Sequence, residues 1–220
     1  MPFTANFLDG DAFDHALGKI VCVGRNYADH ARELNNPVPS EPLLFIKPAT
    51  AAVPLDQPID VAGRGEVHFE TELALLIGET LTAASPQQAE QAVAGIGLAL
   101  DLTLRAVQSR LKEKGQPWEI AKGFDGACPL SSFIRLNEIP DWKALSFSLD
   151  IDGERRQQGN PKDMLFPIPA LLAEMSRHFT LEPGDVVLTG TPAGVGPLIP
   201  GSELHFSLSA GLELTTAVAP

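Results

Sequence analysis

The chain has 220 residues, 44% hydrophobic and 20% charged, a composition typical of one globular domain with a sizeable core. No apolar run approaches the roughly 20 residues that a membrane span needs, so we expect no membrane partner. The formal net charge of -12 disfavours nucleic acid and anionic membrane surfaces as partners, because like charges repel.

The N-terminal residues lack the basic start and apolar core of a signal peptide and the arginine-rich character of a transit peptide, so we expect a cytoplasmic protein. Cys22 lies in the first predicted strand, residues 19–24, and Cys128 lies in another apolar stretch. Neither has a metal-binding spacing, and we therefore expect buried, reduced thiols.

A short helix is predicted over residues 27–34, with Asn26 as its N-cap. It places His30 and Glu33 one turn apart. A carboxylate within reach of an imidazole orients the ring and raises its basicity, which suits a base that activates water. The alternative is an ordinary surface pair.

Two glutamates interrupt the strand predicted over residues 67–78. Because alternate side chains share a face of a strand, Glu70 and Glu72 point to the same side, about 7 Å apart. The next strand, predicted over 95–102, is apolar until Asp101. Three such carboxylates supply the oxygen ligands that Mg²⁺ or Mn²⁺ prefers; the alternatives are a solvated acidic face and a strand end in bulk water.

Four cations stand near the ends of predicted strands and loops, namely Arg25, Lys47 after strand 42–47, Arg105 and Lys122. Each taken alone is typical of a surface residue. Their recurrence at loops that follow strands is weak evidence for a shared pocket that binds an anion.

The remaining elements are short, because 19 prolines and 19 glycines divide the chain. Further helices are predicted over 86–93 with Ser85 as N-cap, over 104–114 after Thr103, and over 169–179. Further strands are predicted over 145–152, 185–190, 203–208 and 212–218. The glycine loop after 185–190 matches no nucleotide-binding motif. The pattern predicts a mixed, β-rich α+β fold with a few short helices.

Six colinear motifs resemble the fumarylacetoacetate hydrolase (FAH) superfamily, specifically its short acylpyruvase branch of the FAH-domain-containing protein 1 type. They are VCVGRNYADHARE, EPLLFIKP, VHFETELALLIG, ALDLTLRAVQ, GQPWEIAKGFD and GDVVLTGTPAGVGP. The resemblance begins at Lys19, so residues 1–18 are assigned to an N-terminal extension and 19–220 to a single catalytic domain. It implies an FAH-type β-sandwich roll and a homodimer.

The resemblance also implies roles for individual residues. Glu70, Glu72 and Asp101 correspond to ligands of Mg²⁺ or Mn²⁺. His30 and Glu33 correspond to a catalytic dyad on a mobile lid, and Lys122 to a catalytic lysine. The positions that correspond to substrate contacts are Arg25, Lys47, Arg105, Gln108 and Thr191.

The reaction favoured by this resemblance is hydrolysis of the C–C bond of acylpyruvates, such as acetylpyruvate or fumarylpyruvate, to pyruvate and a carboxylic acid. The expected partner is a small anionic 2-oxo acid. Oxaloacetate decarboxylation, oxaloacetate tautomerisation and hydroxymuconate-type isomerisation or decarboxylation in aromatic catabolism use the same enolate intermediate and stay open. A non-enzymatic alternative is a structural β-domain that binds a divalent ion, which would need neither His30, Glu33 nor Lys122.

Overall fold

Two β-sheets pack against each other, with short helices around them. The computed structural model describes residues 3–34 and 36–220. The strands are β1 (Ile20–Gly24), β2 (Leu43–Lys47), β3 (Ala52–Pro54), β4 (Val67–Phe69), β5 (Thr71–Ile77), β6 (Val93–Leu100), β7 (Thr103–Leu104), β8 (Cys128–Leu130), β9 (Ile134–Arg135), β10 (Phe147–Ile151), β11 (Glu154–Gly159), β12 (Val186–Leu188), β13 (Gly196–Pro197), β14 (Glu203–Leu208) and β15 (Leu212–Ala217). The helices are α1 (Ala28–Glu33), α2 (Pro86–Gln91), α3 (Arg105–Glu113), α4 (Glu119–Lys122) and α5 (Ile168–His178).

The larger sheet has eight strands in the order β2-β1-β12-β5-β6-β8-β3, with β9 beside β6. The second sheet has the order β11-β10-β14-β15, and a small third sheet has the order β13-β4-β7. In the large sheet, β1 and β12 are parallel, whereas β5 is antiparallel to both β12 and β6. This confirms the predicted mixed, β-rich fold with few short helices.

Strand β5 divides its side chains between two apolar cores. Leu73 and Leu75 point into the core shared with the second sheet and α5, whereas Ala74 points into a smaller core on the other face. Because the period is two residues, Glu72 and Glu70 share the face of Ala74. The predicted alternation is therefore present, but the face that carries the carboxylates is buried rather than solvated.

The smaller core is covered by the N-terminal segment. Phe7 is buried there against Phe133, and Phe13 packs at the edge. Cys22 and Cys128 lie in the same core as free, buried thiols, as expected, and burial raises the pKa of both, that of Cys128 to about 12.

The prediction of a single strand over residues 67–78 is wrong in one respect. The chain forms two strands, β4 and β5, which separate at Glu70, and β4 pairs with β7 and β13 instead of the large sheet. Strands β3, β8 and β11 were not predicted, because each is short or, in β11, almost wholly polar. The capping box at Ser85 is present at the start of α2.

Two predicted N-caps are wrong because their side chains have other hydrogen-bond partners. Helix α1 begins after Tyr27, and the buried Asn26 side chain instead donates to the carbonyl of Thr189 at 2.8 Å and accepts from the amide of Phe166 at 2.8 Å. The Thr103 hydroxyl donates to the carbonyl two residues earlier. Within the described ranges, no helix is both long and apolar enough to cross a membrane.

Candidate active site

One end of the large sheet brings the predicted site residues together. β1 and β12 end there, β5 begins there, and β6 ends there, because of their relative directions. Glu70 immediately precedes β5, and Asp101 immediately follows β6, where its amide donates to the carbonyl of Glu70 at 2.8 Å. Carboxylate oxygens of Glu70, Glu72 and Asp101 lie within 4.8 Å of one another.

Of the three carboxylates, Glu70 and Asp101 pair with cationic side chains, whereas Glu72 does not. Glu72 is 1% exposed and accepts a hydrogen bond from the Gly190 amide at 2.5 Å, but no cationic side chain of the described residues lies within 4 Å of it. Burial, and then the charges of Asp101 and Glu70, raise the pKa of Glu72 well above its ordinary value. Such an all-oxygen, electron-rich set fits a hard divalent cation such as Mg²⁺ or Mn²⁺.

Asp101 supports the same conclusion. Its Oδ1 is buried and accepts no hydrogen bond from any described residue, although Lys47 Nζ lies 2.8 Å away in an unfavourable direction. A buried acceptor without a hydrogen bond is costly. This oxygen is therefore available to coordinate a cation.

Lys122 and Arg105 neutralise Glu70. Lys122 Nζ lies 2.9 Å from Oε2 of Glu70 and 2.7 Å from Oδ2 of Asp101, and Arg105 donates to Oε1 of Glu70. Burial alone would raise the pKa of Glu70, but the two cations outweigh it and hold the pKa well below its usual range. Burial alone would lower the pKa of Lys122, but Asp101 and Glu70 raise it, so Lys122 is an ammonium with two N–H groups engaged.

Lys47 is not on the cavity wall, where the resemblance placed it as a substrate contact. It is 0% exposed and points to the same face as Ile20, into the smaller core. Its ammonium pairs with Asp101 and donates to the carbonyls of Ala127, at 2.9 Å, and of Lys122. These contacts make Lys47 an internal support of Asp101, and the substrate contact that the resemblance implies stays a prediction.

His30 and Glu33 are neighbours on α1 but are not hydrogen-bonded. Nδ1 of His30 is 3.6 Å from Oε2 of Glu33, beyond hydrogen-bond range, and has no hydrogen-bond partner among the described residues. Both oxygens of Glu33 instead accept from the amide of Gly194 at 3.1 Å. Burial lowers the pKa of His30, although the charges of Glu70 and Glu33 oppose the shift. Burial thus favours the neutral form of the imidazole.

A cavity of about 40 Å³ opens beside the carboxylates. Of the predicted site residues, those on its wall are Arg25, His30, Glu70, Glu72, Arg105, Gln108, Lys122 and Thr191. Glu33, Lys47 and Asp101 are not on that wall. A larger concavity of about 810 Å³ over Phe7 and Arg135 contains none of the predicted residues, so the smaller cavity is the candidate site.

Arg25, on the cavity wall, has a backbone conformation that is unusual for a residue other than glycine. Its φ is 61°, in the left-handed region that non-glycine residues rarely adopt, and such strain is concentrated at functional sites. Its side chain is half-buried and has no carboxylate within 4 Å among the residues whose positions are described. Arg25 is therefore an uncompensated cation that faces the cavity.

Lys112 was missed by the sequence analysis. It lies at the mouth of the cavity, and its Nζ donates to Oδ1 of Asn36 at 3.0 Å. It follows Gln108 by four residues and Arg105 by seven, a spacing that places all three on one helix face. This periodicity was the signal that could have identified it.

Two amides of the glycine loop bind protein carboxylates. Gly190 donates to Glu72, and Gly194 donates to Glu33. Both have positive φ, and an added Cβ would lie 2.6 Å from Asn26 and 1.9 Å from a backbone carbonyl, respectively. Glycine is therefore required at both positions.

Comparison with known proteins identifies the family of the chain. The profile of the family described as fumarylacetoacetate (FAA) hydrolase C-terminal matches residues 19–219. Oxaloacetate tautomerase YcgM of Escherichia coli (strain K12) is 52% identical over 211 residues, which cover 95% of this chain and 96% of the relative. Mitochondrial oxaloacetate tautomerase FAHD1 of Bos taurus is 45% identical over 196 residues, 89% of each chain.

Two other relatives carry different names. Mitochondrial oxaloacetate decarboxylase of Dictyostelium discoideum is 43% identical over 200 residues, covering 89% of this chain and 90% of the relative. The structure of fumarylpyruvate hydrolase from Pseudomonas aeruginosa in complex with Mn²⁺ and pyruvate is 34% identical with a TM-score of 0.93, covering 99% of this chain and 96% of that one. With a profile match over residues 19–219 and relatives of such identity along most of its length, the chain belongs to the fumarylacetoacetate hydrolase family of enzymes.

Proposed function

We propose that the protein is a divalent-metal-dependent oxaloacetate tautomerase, which interconverts the keto and enol forms of this 2-oxo dicarboxylate. The observation that carries the proposal is that the imidazole of His30 and the amino group of Lys122 lie on the wall of one cavity beside three carboxylates. The relatives named oxaloacetate tautomerase support it. They favour this alternative over the C–C hydrolysis that the sequence analysis placed first.

The reaction moves a proton from C3 of oxaloacetate to its 2-oxo oxygen. Neutral His30 accepts the proton from C3, since burial holds its pKa below the ordinary value. Lys122 has one N–H left for the 2-oxo oxygen, where it stabilises the developing negative charge and supplies the proton. Exchange with solvent restores both groups, and the same steps in reverse regenerate the keto form.

The carboxylates provide the place for the metal. Glu70, Glu72 and Asp101 would hold a divalent cation, which polarises the 2-oxo group and acidifies the adjacent C–H bond. The ion pair with Lys47 holds Asp101 in place, and the hydrogen bond from the Gly190 amide holds Glu72 in place.

Arg25 and Lys112 favour a dicarboxylate substrate. Both face the cavity, and neither has a carboxylate within 4 Å in the part of the chain that the structure describes. A protein of net charge -12 that leaves two cations uncompensated at one cavity is suited to an anionic ligand. We assign both to the second carboxylate of oxaloacetate, a group that acetylpyruvate lacks.

A second candidate is hydrolysis of acylpyruvates, and the dyad on α1 favours it. His30 is buried 3.6 Å from Glu33, whose carboxylate is fixed by the Gly194 amide. A small approach of the two side chains would give the oriented base that water activation requires. The fumarylpyruvate hydrolase with 34% identity supports this candidate.

One set of assays separates the candidates. The Mg²⁺-loaded enzyme is mixed with enol oxaloacetate, and loss of the enol is followed by ultraviolet absorbance, while pyruvate release is measured from oxaloacetate and from acetylpyruvate. A tautomerase equilibrates the enol much faster than it releases pyruvate from either compound, and His30→Gln slows that equilibration. Faster pyruvate release from acetylpyruvate would replace the proposal with the hydrolase.

We also propose that the protein is a homodimer. Light scattering should give twice the mass of one chain, and a monomer would contradict it.

A further inference from the structure

Gln157 is a buried polar side chain that joins the second sheet to the candidate site. It lies on β11 and is 1% exposed. Its Oε1 accepts from the amide of Thr71 at 2.9 Å, and its Nε2 donates to Oγ1 of Thr191 at 2.8 Å and to the carbonyl of Pro192 at 2.9 Å. Both of its N–H bonds are used, so its orientation is fixed.

The partners of Gln157 belong to the site. Thr71 lies between Glu70 and Glu72, at the point where β4 and β5 separate. The Thr191 hydroxyl donates to the carbonyl of Thr71 at 2.9 Å, so a closed ring of hydrogen bonds runs from Thr71 through Gln157 and Thr191 back to Thr71. The peptide between the two glutamates is therefore held on both of its backbone groups.

The loop to which Gln157 donates its hydrogen bonds also binds the carboxylates of two glutamates. Its residue Gly190 binds Glu72, and Gly194 binds Glu33 on α1. The loop lies directly on β11, since a Cβ at Gly194 would be 1.9 Å from the carbonyl of Arg156. Displacement of the loop from β11 would thus disturb Glu72 and the dyad together.

We propose that Gln157 is a positioning residue for the carboxylate site: it holds Thr71 and the loop 190–194 against β11 so that Glu70 and Glu72 keep the spacing a divalent cation requires. Residues behind metal ligands typically change metal affinity by 10–100-fold when they are removed. The inference rests on the proposed function only in taking these carboxylates as the cation site.

The test measures Mg²⁺ binding by calorimetry in Gln157→Met, which keeps the side-chain length but has no amide. Ser176→Ala is the matched control, because Ser176 is also buried and its hydroxyl has two hydrogen bonds, but it lies on α5 away from the site. Both variants should unfold at lower denaturant concentration. Only Gln157→Met should bind Mg²⁺ more weakly, by about 10–100-fold.

Thr191→Val provides a second, nearly isosteric variant that opens the same ring of hydrogen bonds, should Gln157→Met fail to fold. It is expected to weaken Mg²⁺ binding in the same direction. Unchanged Mg²⁺ affinity in a folded variant of either kind would overturn the positioning role while leaving the cation site intact. A wild-type protein that binds neither Mg²⁺ nor Mn²⁺ would instead overturn the cation site and the proposed function.

Discussion

Replacing Lys47 with methionine tests whether this lysine supports the site or contacts substrate. The side chain is fully buried, and its ammonium pairs with Asp101 at 2.8 Å and donates to the carbonyls of Ala127 and Lys122. Removing one member of a buried ion pair costs about 3–5 kcal/mol, because the other charge stays buried without its partner. Methionine refills most of the volume, so no large cavity adds to this cost.

The expected loss is a large share of the total stability, which is about 5–15 kcal/mol for a typical domain. For a chain of this length, about 3–5 kcal/mol corresponds to a fall in Tm of roughly 6–20 °C. Urea unfolding in the presence of a chelator measures the loss directly, and an unchanged m-value shows that the denatured state is unaffected. Lys112→Met is the matched control, since it removes a lysine at the surface and should change stability by about 0.5 kcal/mol or less.

The opposite outcome would refute the supporting role of Lys47. If Lys47→Met kept the wild-type stability to within about 1 kcal/mol, well below the cost expected for a broken buried pair, and raised the KM for oxaloacetate, Lys47 would be a substrate contact, as the sequence resemblance implied.

Three further predictions follow from the site. The acid limb of kcat/KM should lie below pH 6.5, about the ordinary pKa of histidine, because burial lowers the pKa of His30 and the neutral ring is the base; a limb that persists in His30→Gln would assign it to another group. Because the pKa of His30 is lower in the folded than in the unfolded protein, His30 adds to the free energy of unfolding above its ordinary pKa. This contribution is lost as the pH falls through the pKa of the folded protein. Glu72→Gln should raise the stability of the metal-free protein, since it removes a buried ionisable group next to two other carboxylates, and should abolish stabilisation by Mg²⁺ in a thermal melt; an undiminished Mg²⁺ shift would contradict the ligand set. Arg25→Met should raise the KM for oxaloacetate about tenfold, which equals about 1.4 kcal/mol, but change that for acetylpyruvate little; equal effects on both would contradict the assignment to the second carboxylate.

Local patterns were sufficient to predict much of the fold and the carboxylate site. Short apolar runs bounded by turn residues identified β1, β2, β5 and β6, because such runs are a property of neighbouring residues. The alternation of side chains along a strand placed Glu70 and Glu72 on one face, and the position of Asp101 after an apolar strand implied that it needed a cation. The register of β5 and β6 then brings the three together as expected.

Other features depend on contacts that local patterns do not encode. Lys47 is 75 residues from the carbonyl of Lys122 that it binds, and Gln157 is 86 residues from Thr71. Whether a lysine at a strand end meets solvent, substrate or a buried aspartate is decided by how the sheets close around it. The residues of β11 are almost all polar and predict a loop. Because the second sheet packs on the site, the side-chain amide of Gln157 in β11 is buried and hydrogen-bonds both Thr71, between Glu70 and Glu72, and the glycine loop. Short stretches of the sequence thus determine which reactive groups the site contains. The contacts that hold those groups in place come from long-range packing, because the burial of a residue depends on which distant parts of the chain lie next to it.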